Sequence, residues 1–300
     1  MFEVEKIRGI IVPLITPVDG EENICEVRLR RIVDHVISHG VHGILAFGSN
    51  SEFYMFEEAE MIAAMEIILD EVKGRVPVFF GLGSIRTKHG VRLAKQAAKL
   101  PVDGISVLQP MFIKPTEPAL YHHFKTIAEA VPDKMVLLYN NPGRTGYSMS
   151  LTLISQLAHE VKNIVGIKDS SGDLTFLSEL IRQNQDIGFR VMAGKDTVVY
   201  PSLCVGAVGS VCSTANMYTE LVCGIYDKYV SRNHQEALKD QFKLNPIRLS
   251  QDPASFPAAT KDMANLMGMD VGPSVLPTEA TSGVILESMK KEMREAGFLF

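Results

Sequence analysis

The run Asn163-Ile164-Val165-Gly166-Ile167-Lys168 is apolar until it ends in a lysine, and it continues as Asp169-Ser170-Ser171-Gly172. A free lysine amine titrates near about 10.4 and is protonated at neutral pH, so a lysine that attacks a carbonyl has to be desolvated in an apolar pocket. Lys168 is therefore a candidate imine-forming amine; a strand-end lysine reaching for solvent is the alternative. A second apolar run, Lys134-Met135-Val136-Leu137-Leu138-Tyr139-Asn140, closes on a tyrosine and enters Asn141-Pro142-Gly143-Arg144-Thr145-Gly146. Tyr139 there suits proton relay, and Arg144 suits a two-pronged grip on a carboxylate; a core tyrosine and a solvated turn arginine are the plainer readings. The third string is Phe47-Gly48-Ser49-Asn50-Ser51-Glu52. Its small residues leave N–H groups and hydroxyls free for an anion, although a helix-capping turn reads the same way.

Other strings carry less. Gly81-Leu82-Gly83-Ser84 lacks the third glycine and the acidic residue of a dinucleotide site. Gly194-Lys195-Asp196-Thr197 imitates the end of a phosphate loop, but Phe189 stands where the earlier glycine belongs, so it is rejected. His35 and His39 share one helical face without a third ligand in view, and His122 and His123 diverge. No Gly-x-Ser-x-Gly or His-Glu-x-x-His string occurs, which removes the commonest serine-hydrolase and zinc-protease readings.

The elements that must position these residues alternate. Strands are expected at Gly9-Ile15, Gly43-Phe47, Val76-Leu82, Gly104-Leu108, Met135-Asn140, Ile164-Lys168, Phe189-Ala193 and Ala207-Val211, most of them without the polar alternation of a half-exposed strand. Between them helical spacing runs over Val27-Ile37, Glu57-Val72, Lys88-Lys99, Thr116-Ala130 and Leu151-Val161. Eight such units match a (β/α)8 barrel better than an open doubly wound sheet, and in that barrel the carboxyl ends of the strands carry the chemistry. After about Asn216 only helical patterns follow, at Glu220-Val230, Gln235-Leu249, Ala254-Met267 and Thr278-Ala296. The expected division is a catalytic barrel over residues 1–230 and a helical region over 231–300 packed on it, since no Pro-, Gly- or Ser-rich linker intervenes.

Composition narrows the partners. With 300 residues and 46% hydrophobic content, the chain buries a core without disulfides or metals. Thirty Lys plus Arg against 35 Asp plus Glu leave a net charge of −5, and no long basic block offers a nucleic-acid footprint. Acids near the N-terminus argue against a signal peptide, and no apolar run reaches membrane-span length. Four scattered cysteines, Cys25, Cys204, Cys212 and Cys223, fit reduced thiols, so a cytoplasmic setting is expected.

Taken together, Gly48-Ser49-Asn50-Ser51-Glu52, Tyr139-Asn140-Asn141-Pro142-Gly143-Arg144-Thr145-Gly146 and Gly166-Ile167-Lys168-Asp169 resemble, in order and spacing, the dihydrodipicolinate synthase/N-acetylneuraminate lyase family, over roughly residues 8 to 230. The resemblance implies a (β/α)8 barrel with a C-terminal helical appendage, usually a homotetramer, that condenses or releases pyruvate with a small aldehyde and without a metal or other cofactor. It implies that Lys168 forms the imine with the pyruvate keto carbon, that Tyr139 relays protons, and that Ser49 and Asn50 hold the pyruvate carboxylate. The Pro-x-Arg-Thr-Gly pattern around Arg144 is similar to the synthases of lysine biosynthesis, where the arginine is expected to grip the carboxylate of aspartate semialdehyde.

Two departures bear on the substrate. Gln109-Pro110-Met111-Phe112-Ile113-Lys114-Pro115 replaces the family's Pro-Tyr-Tyr-Asn-Lys-Pro, so Phe112 stands where a tyrosine is expected to reach a neighbouring subunit's site. Ser49-Asn50-Ser51 replaces Thr-Thr-Gly. The leading expectation is a pyruvate-dependent Schiff-base lyase of dihydrodipicolinate synthase type, with a 2-keto-3-deoxy sugar-acid aldolase or N-acetylneuraminate lyase next. A barrel that binds a ligand without turnover is the reading from another class; against it, a binding protein has no need of an imine-forming lysine.

Overall fold

The computed structural model describes residues 2–299, so the first position of the expected barrel span and the last of the expected helical span, 1 and 300, lie outside it. Eight parallel strands close in sequence order: β1 (Gly9–Pro13), β2 (Gly43–Ala46), β3 (Val78–Gly83), β4 (Gly104–Leu108), β5 (Met135–Asn140), β6 (Ile164–Asp169), β7 (Arg190–Ala193) and β8 (Gly209–Val211), with β8 paired back to β1. The intervening helices are α1 (Glu26–Ser38), α2 (Glu58–Val72), α3 (Thr87–Ala97), α4 (Glu117–Glu129), α5 (Pro142–Thr145), α6 (Leu151–Glu160), α7 (Leu174–Gln183) and α8 (Val199–Cys204). Helices α9 (Thr219–Val230), α10 (His234–Leu249), α11 (Ala258–Leu266) and α12 (Gly283–Glu295) follow.

The strands are apolar on both faces because both faces are covered. Alternate residues point inward and outward along a strand. Ile11, Leu45, Phe79, Met135, Leu137, Met192 and Val211 fill the barrel interior as one cluster, while Ile10, Val12, Ile44, Phe80, Val136 and Leu138 join a larger layer beneath the helices. The longer helices supply the complementary stripe; α1, for example, buries Leu29, Ile32, Val33 and Val36. The same period of two carries the interior row upward to the functional end, since Tyr139 follows Leu137 by two residues and Pro13 follows Ile11 by two.

Strand ends and the last helices differ from the expectation. β1 stops at Pro13 rather than Ile15, where Ile15 N–H turns to the side chain of Asn216 instead of the ladder. β8 starts at Gly209 rather than Ala207, because the backbone turns at Gly206 with φ of 103°, a conformation glycine adopts without a Cβ penalty. α11 begins at Ala258, not Ala254: Pro257 has no N–H to donate and disfavours helical geometry in Phe256 before it. α12 begins at Gly283, not Thr278, after an irregular stretch around Pro277. Among the described residues no helix is long and apolar enough to cross a membrane.

Candidate active site

Tyr139 and Lys168 are register partners on neighbouring strands, so both side chains leave β5 and β6 on the inward side at the carboxyl end of the barrel. Each residue is only 5% exposed, and Lys168 Nζ lies 4.2 Å from the centre of the Tyr139 ring. They face one polar cavity whose wall also includes Ser49, Asn50, Arg144 and Ser170. The five residues singled out from the sequence, Lys168, Tyr139, Ser49, Asn50 and Arg144, are thus brought together in one place.

The phenol is set by its neighbours. Burial pushes Tyr139 up, but the charge of Lys168 and side-chain hydrogen bonds with Ser49, Ser170 and Asn141 outweigh it and hold the phenol below its ordinary value. Asn141 donates to the Tyr139 oxygen at 2.7 Å. The two strand ends are tied by Asn140, whose amide donates to Asp169 at 2.6 Å while its carbonyl accepts from Met149 N–H at 3.1 Å. Burial raises Asp169 above the usual carboxylate range, against the hydrogen bonds it accepts from Ser171 and Asn140. Gly194, at the end of β7, leaves room for this arrangement: a Cβ there would lie 2.1 Å from Ser170 Oγ and 3.1 Å from Lys168 Cε.

The turn after β2 is built from the barrel floor upward. Asn50 donates to the carbonyl of Pro13 at 3.0 Å, and Ser51 donates to the carbonyl of Leu14. Ser49, Asn50 and Ser51 form a single 3-10 turn, whose first N–H groups have no partner within the turn. The chain then passes through Glu52 at φ of 56°. Glu52 is fully buried and meets Lys261 of α11 at 2.6 Å, while accepting from Val275 N–H at 2.9 Å. This ion pair locks the Ser49–Ser51 turn to the C-terminal helices, and nothing in the residue spacing points to it.

Arg144 lies in the single turn α5, fixed by Thr145, whose hydroxyl lies 3.0 Å from the carbonyl oxygens of both Asn141 and Tyr147 and shares its one hydrogen between them. Its guanidinium stacks 4.2 Å from the centre of the Phe256 ring. Phe256 and Arg248, from the C-terminal region, complete the wall together with Lys195, Asp196 and Ser213 from the ends of β7 and β8. These were missed. The string Gly194-Lys195-Asp196 lacks the glycine spacing of a phosphate loop, but its place at the end of β7 puts Lys195 and Asp196 at the cavity. Phe112 is 89% exposed with φ of 75°, away from this chain's own cavity wall. His35 and His39 stack on each other at 4.2 Å, and among the described residues no group of three His, Cys, Asp or Glu side chains converges as a metal site.

A buried lysine packed on a tyrosine at the mouth of a (β/α)8 barrel, beside a donor-rich turn and an arginine, defines a lyase that works through a lysine Schiff base. The model of the Dihydrodipicolinate synthetase family matches residues 6–296, and this chain belongs to that family of Schiff-base pyruvate lyases. It is 34% identical to a 4-hydroxy-tetrahydrodipicolinate synthase of Methanopyrus kandleri, covering 98% of each chain. It is 30% identical to an uncharacterized DapA-like lyase of Halobacterium salinarum, over 98% of this chain and 95% of that one. Its fold superposes on the dihydrodipicolinate synthase of Thermotoga maritima with a TM-score of 0.94 at 28% identity, covering 98% of this chain and 100% of that one.

Proposed function

We propose that this chain condenses pyruvate with an aldehyde bearing an acidic group, with aspartate semialdehyde, the acceptor of synthase-type members in lysine biosynthesis, as the first candidate. The observation that carries the proposal is Lys168 Nζ held 4.2 Å from the Tyr139 ring in a polar cavity of the barrel. Lys168 attacks the keto carbon and water leaves. Tyr139 gives its proton to that departing water; the resulting iminium withdraws electrons from the adjacent methyl, which passes a proton back to the Tyr139 oxygen to give an enamine. The enamine carbon attacks the aldehyde carbon, the aldehyde oxygen takes a proton from Tyr139, and water returns to free the lysine amine. A phenol already held below its ordinary value is suited to give up and regain that proton.

Ser49 and the start of its turn hold the pyruvate carboxylate, with Asn50 fixing the turn on Pro13. Arg144 takes the acid of the acceptor. A 2-keto-3-deoxy sugar-acid aldolase or N-acetylneuraminate lyase is the second reading, favoured by Phe112, whose ring passes no proton. The proposal extends to a homotetramer, which would cover the exposed Phe112, Ile113 and Ile85, and to a cytoplasmic setting, in keeping with four free thiols. The test assays pyruvate against aspartate semialdehyde and several sugar-derived aldehydes. Turnover with the semialdehyde supports the synthase reading, turnover with neutral sugars alone supports the second reading, and turnover with none removes both.

A further inference from the structure

Side chains alternate faces along a strand, so a single residue out of step turns every later one to the other side. β6 contains such a step. At its base Ile164 lies in the layer beneath the helices and Val165 packs against the barrel interior. Strict alternation from there would send Ile167 inward and Lys168 outward. Instead Ile167 lies in the helix-side layer and Lys168 lines the cavity. The register gives the reason: Val136 pairs with Ile164 and Leu137 with Gly166, so Val165 has no partner on β5 and the bulge shifts every later pair by one. Without that shift Tyr139 would stand opposite Ile167. Gly166 admits the close approach of β7 beside the bulge, since a Cβ there would lie 2.6 Å from the Arg190 carbonyl oxygen.

The shifted stretch is pinned at both ends. Below it, the amide nitrogen of buried Asn163 lies 2.9, 3.0 and 3.1 Å from the carbonyl oxygens of Ala128, Val131 and Lys134, and the Asn163 carbonyl accepts from Val136 N–H at 2.8 Å. Above it, Asn140 and Asp169 are register partners and both buried. One Asp169 oxygen accepts from the Asn140 amide at 2.6 Å, and the other accepts from the Ser171 hydroxyl at 2.5 Å. Asn140 follows Tyr139 and Asp169 follows Lys168, so this bond closes only when Tyr139 and Lys168 are opposite. In a register slipped by one residue Asn140 would face Lys168 and the bond would be lost.

We propose that Asn140, acting through Asp169, is a positioning residue that locks the bulged register of β6 and so holds the Lys168 amine inside the barrel. A slip of one residue at the top of β6 turns that amine away from pyruvate. The inference rests on the Lys168 imine of the proposed function and adds the device that aims it.

The test measures pyruvate-dependent borohydride trapping of Lys168 per mole of folded protein, well below the unfolding temperature. N140A removes the bond and is expected to slow trapping at saturating pyruvate by about tenfold or more, since displacing a reacting group by about 1 Å can cost about a hundredfold. The swap N140D/D169N rebuilds the bond with donor and acceptor exchanged, and is expected to bring trapping back to within about threefold of wild type. Deleting Val165 leaves β5 and β6 in step with Lys168 still opposite Tyr139, so this deletion added to N140A is also expected to restore trapping. A merely structural Asn140 would lower the melting temperature of N140A and leave the trapping rate unchanged. That result, or a folded swap that traps as slowly as N140A, overturns the inference. If N140A does not fold, the Val165 deletion alone decides: a folded deletion protein that still traps Lys168 supports the inference, and one that does not overturns it. Wild-type protein in which pyruvate and borohydride leave Lys168 unmodified overturns the proposed function instead.

Discussion

Lys261→Met is expected to destabilise the protein severely, although Lys261 is far along the chain from any catalytic motif. Lys261 and Glu52 side chains are 1% and 0% exposed and meet at 2.6 Å. Burial lowers the Lys261 amine, and the Glu52 charge opposes that shift, so each charge depends on the other. Lys261 also donates to the carbonyl of Pro273 at 2.8 Å. Removing the lysine strands a buried carboxylate, which costs about 3–5 kcal/mol. For a chain of this size the midpoint moves by roughly 2 °C per kcal/mol, so thermal unfolding should come about 6–10 °C earlier. The double variant Glu52→Leu with Lys261→Met should recover much of that loss, because it leaves no unpaired charge. Denaturant titration and calorimetry of the wild type, the single and the double variants read the outcome. The Ser49 turn ends at Glu52, so KM for pyruvate should rise in the single variant more than kcat falls. A single variant within about 1 kcal/mol of wild type, or a double variant worse than the single, would refute this reasoning.

Tyr139→Phe should slow turnover by roughly a hundredfold or more with pyruvate still binding, and should remove the basic limb of the pH profile, which Tyr139 places below the ordinary phenol value; single-turnover kinetics across pH checks both. Arg144→Ala should lower kcat/KM for an acidic aldehyde by about ten- to a hundredfold and affect a neutral one much less, as a steady-state comparison of the two will read. His123, buried beside Thr87, is held down to about 4 by burial, against about 6.5 when exposed. The unfolded chain therefore binds a proton that the folded one refuses, and stability should be present above pH 6.5 and fall by about 3 kcal/mol as pH drops from 6.5 to 4. Denaturant midpoints over that range should flatten in His123→Gln.

Much of the site was legible because a barrel turns strand ends into a shared mouth. Lys168 and Tyr139 each close an apolar run, and β4 and β5 begin and end where their apolar runs do. Arg144, Ser49 and Asn50 lie a few residues beyond such ends, so their strings carried enough signal. Arg248 and Phe256 did not, because the spacing of α10 and α11 gives helices but not the direction in which they pack on the barrel. The buried Glu52 and Lys261 pair was hidden for the same reason: two charged residues 209 positions apart read as surface until the fold joins them. Lys195 is legible from the end of β7 two residues before it, whereas the glycine spacing that defines a phosphate loop carries no information on strand ends.

The claim on which everything else stands is that Lys168 is the amine that captures pyruvate. Incubation of the protein with pyruvate, reduction with borohydride and mapping of the modified peptide by mass spectrometry test it directly. The account predicts a single adduct on Lys168, absent from Lys168→Ala. An adduct on another lysine, or none in folded protein, would contradict it.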